Sequence, residues 1–65
     1  MRPDETLLWR EPDADGEQEC VMVSCCAGAE LQIRRGGAIL LRELYPDKST
    51  LYERARELRA GVARD

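Results

Sequence analysis

The sequence contains no histidine and no phenylalanine, and it has only one tryptophan. Without histidine the usual acid–base side chain near neutral pH is missing. Ser-His and Cys-His nucleophile pairs are excluded with it. A phosphate-binding glycine motif is also lacking. Gly36-Gly37 is followed by neither Lys-Ser nor Lys-Thr and falls between two strand-like stretches. Acids are plentiful, but 65 residues offer little cleft in which to shift their pKa values. The expectation is a non-enzyme, with no catalytic residue and no cofactor.

Cysteine is sparse in a telling way. There are three, an odd number, and Cys25 and Cys26 are adjacent. A secreted disulfide scaffold shows an even, spaced set. Tetrahedral zinc wants four ligands, commonly as two C-x₂-C pairs. Cys20, Cys25 and Cys26 offer three thiols, and in a strand Cys25 and Cys26 point to opposite faces, so no metal is expected. Asp13-Ala14-Asp15-Gly16 echoes the start of a calcium loop but lacks the later acid, and reads as a hairpin turn. Met1–Arg10 carries charges where a signal peptide would be apolar. No apolar run approaches the ~20 residues of a membrane span. These features predict a cytoplasmic chain that uses cysteine as a small hydrophobe.

What remains bounds one domain, residues 1–65, with a core that is marginal at this length. Chains below ~70–80 residues usually need a disulfide, a metal or a partner. Net charge is −3 and unevenly placed. Residues 1–30 hold two Arg against eight Asp or Glu; residues 31–65 hold eight Lys or Arg against five acids. An acidic total disfavours non-specific nucleic-acid binding, while the basic second half leaves room for it.

Residues 1–5 read as flexible, residues 6–44 as sheet and residues 47–63 as helix. Thr6–Arg10 is a short apolar strand. Glu11–Gln18 is a polar connection with Pro12 and Gly16. Glu19–Cys26 is rich in β-formers, Glu30–Arg34 alternates polar and apolar residues, and Ala38–Leu44 is a further strand.

A three-residue loop with Gly37 left-handed sets Ile33 opposite Ile39, Leu31 opposite Leu41 and Glu30 opposite Arg42. The same reasoning at Ala27-Gly28-Ala29 sets Val23 opposite Ile33 and Cys25 opposite Leu31. Pro46 ends the strands and Asp47 caps a helix. Leu51, Ala55, Leu58 and Val62 share one helical face, and Arg54 can pair with Glu57.

The fold class is therefore α+β: a small antiparallel sheet of three to four strands packed on one C-terminal helix. Val21, Val23, Cys25, Leu31, Ile33, Ile39 and Leu41 are expected to face that helix. The opposite face is expected to carry Met22, Ser24, Cys26, Gln32, Arg34, Leu40 and Arg42. Met22 and Leu40 are apolar where a solvated face is polar, which suggests a cover. A second copy of the chain is the default, since small oligomers are mostly two-fold homodimers. The competing cover is Thr6–Arg10 folded back, with Trp9 as its lid.

The stretch ELQIRRGG, with LYPDKSTLYERARELRAG after it, resembles a loose group of short bacterial proteins of unknown function. Those share a strand, an Arg-X-Gly turn, a strand ending in aromatic-Pro-Asp and an amphipathic C-terminal helix. The likeness covers residues 29–62 and implies fold. Several strands followed by a helix is also similar to single-stranded DNA binders of the Whirly and transcriptional-coactivator type. Arg34, Arg35 and Arg42 match their basic sheet in kind; Trp9 is the one candidate for their aromatics. Two readings result: a homodimeric, non-enzymatic interaction module, which could also take another protein as partner, or a weak single-stranded nucleic-acid binder. Met22, Arg34, Leu40, Arg42 and Trp9 are the candidate partner-face residues for both.

Overall fold

The computed structural model describes residues 4–25 and 28–64. They form strands β1 (Glu5–Asp13), β2 (Gly16–Cys25), β3 (Gly28–Arg35) and β4 (Ala38–Tyr45), followed by helix α1 (Lys48–Arg64). The strands pair antiparallel in chain order, β1-β2-β3-β4. Helix α1 lies across one side of this sheet and packs on β1, β3 and β4. The arrangement is the two-layer α+β fold that the sequence pattern predicts.

The turns explain where the chain reverses. Asp13 accepts the Asp15 N–H at 2.8 Å, and β1 runs on through Glu11–Asp13 to this tight turn. The acidic stretch expected as a connection is therefore mostly strand. At the β3–β4 hairpin Gly36 and Gly37 have φ of 56° and 87°. Two successive left-handed residues close a two-residue hairpin whose twist matches its strands. The start of the chain is tied down earlier than expected. Ser24 N–H donates to the Asp4 carbonyl at 2.9 Å, and Glu5 opens β1. Met1–Pro3, the rest of the stretch read as flexible, lie outside the described residues, as do Cys26 and Ala27.

Helix α1 follows its capping logic. Asp47 Oδ1 accepts the Thr50 N–H at 2.8 Å, satisfying a donor that the first turn leaves orphaned. Leu51 and Ala55 are buried, and Leu58 and Val62 pack partly on the same core. Full burial of a leucine such as Leu51 contributes about 1.5–3 kcal/mol. Two ion pairs pin the helix to both edges of the sheet. Arg59 reaches Glu11 on β1 at 2.6 Å, and Arg54 reaches Glu43 on β4 at 3.1 Å. Arg54 also meets Glu57 at 3.5 Å, the pair expected along the helix.

Register is where the structure corrects the sequence reading. The Gly36-Gly37 turn sets Arg35 opposite Ala38, one residue away from the expected pairing. An irregularity follows at once, because Arg34 faces Ile39 while Ile33 faces Leu41. Leu40 is the extra residue of this β-bulge. The bulge returns Leu41 to the helix side beside Leu31 and Ile33 and leaves Ile39 on the opposite face, exposed.

In β2 the correction is larger. Met22 faces Leu31 and Cys20 faces Ile33, so the strand is turned over relative to expectation. A register change by an odd number of residues exchanges the two faces of a strand. Met22, expected outside, is buried in the core with Cys20, Trp9, Leu31, Leu51 and Ala55. Val21 and Val23, expected inside, take the face away from the helix. Gly28, opposite Cys25, lets the start of β3 pass close to the end of β4. A Cβ there would collide with the Tyr45 carbonyl oxygen and lie 3.0 Å from Pro46 Cα.

Trp9 is a core residue. It is only 6% exposed, and its Nε1–H donates to the Ala55 carbonyl of α1 at 2.8 Å. It cannot serve as a lid on the other face or as a stacking platform there. β1 pairs along the edge of β2 instead of folding over the sheet.

Candidate interaction face of the sheet

The sheet face without a helix is defined by three rows of opposed residues. The first is Glu5, Val23, Glu30 and Leu44, read from β1 to β4. The second is Leu7, Val21, Gln32 and Arg42. The third is Arg10, Glu19, Arg34 and Ile39. Alternation in each strand puts these side chains on one side, with Met22, Leu31 and Leu41 on the other.

Of the five candidate residues, Arg34 and Arg42 belong to this face. Leu40 is exposed on β4 at the bulge, next to Ile39. Met22 and Trp9 do not belong to it. The structure adds Leu7, Ile39 and Leu44, all exposed large hydrophobics. Leu44 is the most open of them, at 61%. Leu7 was hidden in the sequence because β1 also carries an irregularity: Leu7 faces Val21 while Trp9 faces Cys20. With Leu8 as an extra residue, simple alternation through Thr6–Arg10 misleads. Leu44 was legible as the continuation of Arg42 at a period of two.

The polar groups form one connected chain. Arg34 meets Glu5 at 3.2 Å, and its Nε–H donates to Gln32 Oε1 at 2.8 Å. Gln32 donates in turn to Glu30, whose second oxygen meets Arg42 at 3.4 Å. The charges along this chain alternate and cancel. The Gln32 amide does most to hold the Glu30 carboxyl below its usual range; desolvation opposes it, and Arg42 and Arg34 add smaller help. On β1 and β2, Arg10 meets Glu19 at 2.7 Å.

This network explains a burial that no helix accounts for. Val21 is 6% exposed although α1 lies on the other side. Glu5 and Arg34 stand on opposite sides of it, one row away in each direction, on the strands that flank β2. Their ion pair spans Val21 and roofs it. Gln32, beside Val21, is buried with it and bonded at both ends.

The arginines that suggested nucleic-acid contact all have carboxylate partners within the chain. Arg34 holds Glu5, Arg42 holds Glu30, and Arg35 holds Asp13 at 2.6 Å. Arg35 keeps the Asp13 carboxyl below its usual range, chiefly through their hydrogen bond.

Elsewhere, an open cleft of about 370 Å³ lies between the β1–β2 and β3–β4 turns, lined by Asp15, Glu17, Glu19 and Arg35 with Gly16, Gly36 and Gly37. Cys20 is buried, and desolvation pushes its thiol up to about 11, so it stays protonated and unreactive in the fold. Among the described residues, no group of three or more His, Cys, Asp or Glu could hold a metal ion, and no helix is long and apolar enough to cross a membrane. Comparison with known proteins adds no relative: no family matches the chain, no curated protein matches it in sequence and no solved structure matches its fold.

Proposed function

We propose that the chain is a non-enzymatic interaction module that works as a homodimer, joined through the helix-free face of the sheet. The observation that carries this reading is the exposure of Leu7 at one margin of this face, and of Ile39, Leu40 and Leu44 along β4 at the other, on a sheet whose other side is already covered. Large apolar side chains left open on a small protein mark an interaction site. The short length of the chain supports the same reading, because a second copy supplies burial that one core lacks. Cys20 is a free, buried cysteine, which fits a reducing, cytoplasmic setting.

Single-stranded nucleic-acid binding is the competing reading. It needs an aromatic platform on which bases can stack, and Trp9 is buried in the core on the other side of the sheet.

Sedimentation from micromolar to millimolar concentration tests the proposal. The wild type is expected at twice the chain mass. Leu44→Arg, at an exposed position, is expected to give a folded monomer with unchanged far-ultraviolet circular dichroism. A wild type that stays monomeric throughout would remove the reading. Binding of a labelled oligonucleotide that weakens steeply with salt would put nucleic acid in its place.

A further inference from the structure

The three rows of the helix-free face contain a second relationship, which becomes visible when the face is set against a copy of itself. Two sheets packed face to face keep their strands aligned to within about 30° and lie about 10 Å apart. A two-fold axis between them can run along the strands or across them.

With the axis along the strands, β1 lies over β4 of the second copy. Glu5 then faces Leu44, Leu7 faces Arg42, and Arg10 faces Ile39. Three charges are pressed onto apolar side chains at each outer edge, which desolvates them without a partner.

With the axis across the strands, each strand lies over its own copy and the first row meets the third. Glu5 faces Arg10, Glu30 faces Arg34, and Leu44 faces Ile39. In the middle row Leu7 meets Leu7, while Val21 and Gln32 stay buried within each copy. Acid meets base twice, and apolar meets apolar at both edges. Two contacts are unfavourable. Arg42 meets its own copy at an exposed margin where Glu30 already neutralises it, and Glu19 faces Val23 while held by Arg10.

We infer that the helix-free face is self-complementary and takes a second copy of this chain, related by a two-fold axis running across the strands. The inference rests on the homodimer reading and adds its geometry. Self-complementarity of one patch is what an isologous two-fold contact requires. The Glu30–Arg34 contact occurs twice in such a dimer and sets the register, since like charges in the same places oppose it.

The decisive experiment exchanges those charges. Glu30→Arg and Arg34→Glu each place like charges across the interface. Each variant alone is expected to raise the dissociation constant by about tenfold or more, as read by sedimentation. An equimolar mixture restores opposite charges at both contacts and is expected to return to within about threefold of wild type. Because both residues also serve the network within the chain, a second measurement leaves them untouched. Leu7→Cys is expected to form a disulfide-linked dimer on mild oxidation, above the wild-type background. Ile39→Cys alone is not, whereas a mixture of Ile39→Cys with Leu44→Cys is.

A wild-type dimer in which Leu7→Cys fails to link, or in which the charge mixture dimerises no better than the single variants, overturns this geometry while leaving the homodimer reading intact. A wild type that is monomeric at every concentration, or monomeric and bound to oligonucleotide, removes that reading and this inference with it.

Discussion

The indole N–H of Trp9 donates to the main-chain carbonyl of Ala55 across the sheet–helix boundary, at 2.8 Å. The bond joins the first strand to the middle of the last element, so nearly the whole chain must be folded for it to form. It also satisfies the one polar atom of the largest side chain in the core. Trp9→Phe keeps most of the apolar area and loses the bond. Its expected cost is about 0.5–1.5 kcal/mol. Trp9→Ala is expected to cost about 3–5 kcal/mol. Urea titration followed by circular dichroism distinguishes the two. Equal, small effects would mean that Trp9 does not bridge the layers.

Met22 separates the two possible faces of β2. Buried beside Leu31, Met22→Lys is expected to unfold the domain, because the ammonium loses water without gaining a partner. Val23→Lys, on the opposite face, is expected to leave the chain folded. The reverse pattern in thermal melts would mean that β2 is turned over.

Gly28→Ala is expected to prevent folding or lower stability severely. The residue has φ of 139°, and the added methyl would strike the Tyr45 carbonyl. Gly61→Ala, where a Cβ meets open space within α1, is expected to stabilise by up to about 1 kcal/mol. Opposite signs from two glycine-to-alanine changes, read in one denaturation series, are the outcome to look for.

Acid is expected to weaken the fold through Asp13, Glu43 and Asp47. Each carboxyl is held below its ordinary value: Asp13 chiefly by Arg35, Glu43 by Tyr45 and then Arg54, and Asp47 by the Thr50 N–H. A lowered native pKa means that the unfolded chain takes up protons first. Their contribution is therefore complete above the ordinary values of 3.8 and 4.5 and is lost as pH falls through the lower native ones. Melting temperature should be flat near neutrality and fall in acid. Asp47→Asn should flatten part of that fall. A melting temperature that rises on acidification would contradict the assignment.

Cys20 should resist thiol reagents in the native protein at mildly alkaline pH and react once the chain is unfolded. Burial and a thiol pushed up to about 11 both demand this. Peptide mapping after timed labelling reads Cys20 separately from Cys25 and Cys26. Rapid native labelling of Cys20 would show that the core opens easily.

The helix was legible because its signals agree. Pro46 and Asp47 mark its start, and Leu51, Ala55, Leu58 and Val62 keep one period. The outer face was legible where alternation is clean, so Gln32, Arg34 and Arg42 were placed correctly. The predicted Glu30–Arg42 attraction also exists, although as a diagonal contact, since Gln32 is the residue opposite Arg42. β2 was not legible. Its run of Cys20, Val21, Met22 and Val23 is apolar on both sides, so composition cannot choose a face and the choice passes to the turn. The bulges at Leu8 and Leu40 each shift the period by one residue, and neither has a glycine or proline at the spot to announce it. Leu7 and Ile39 were lost to the outer face for that reason.

Those two bulges have a further consequence for how the protein can associate. Both sit on margins of the sheet, one on β1 and one on β4, and β1 also carries Pro12, which has no N–H to offer. A new strand arriving at either margin meets a kinked rim and cannot keep step with it. Growth strand by strand, the route to fibres, is thereby discouraged at both ends. Association through the broad face has no such freedom to continue, since two copies that cover each other leave no open face behind. The kinked margins thereby favour the closed pair proposed above over an open array.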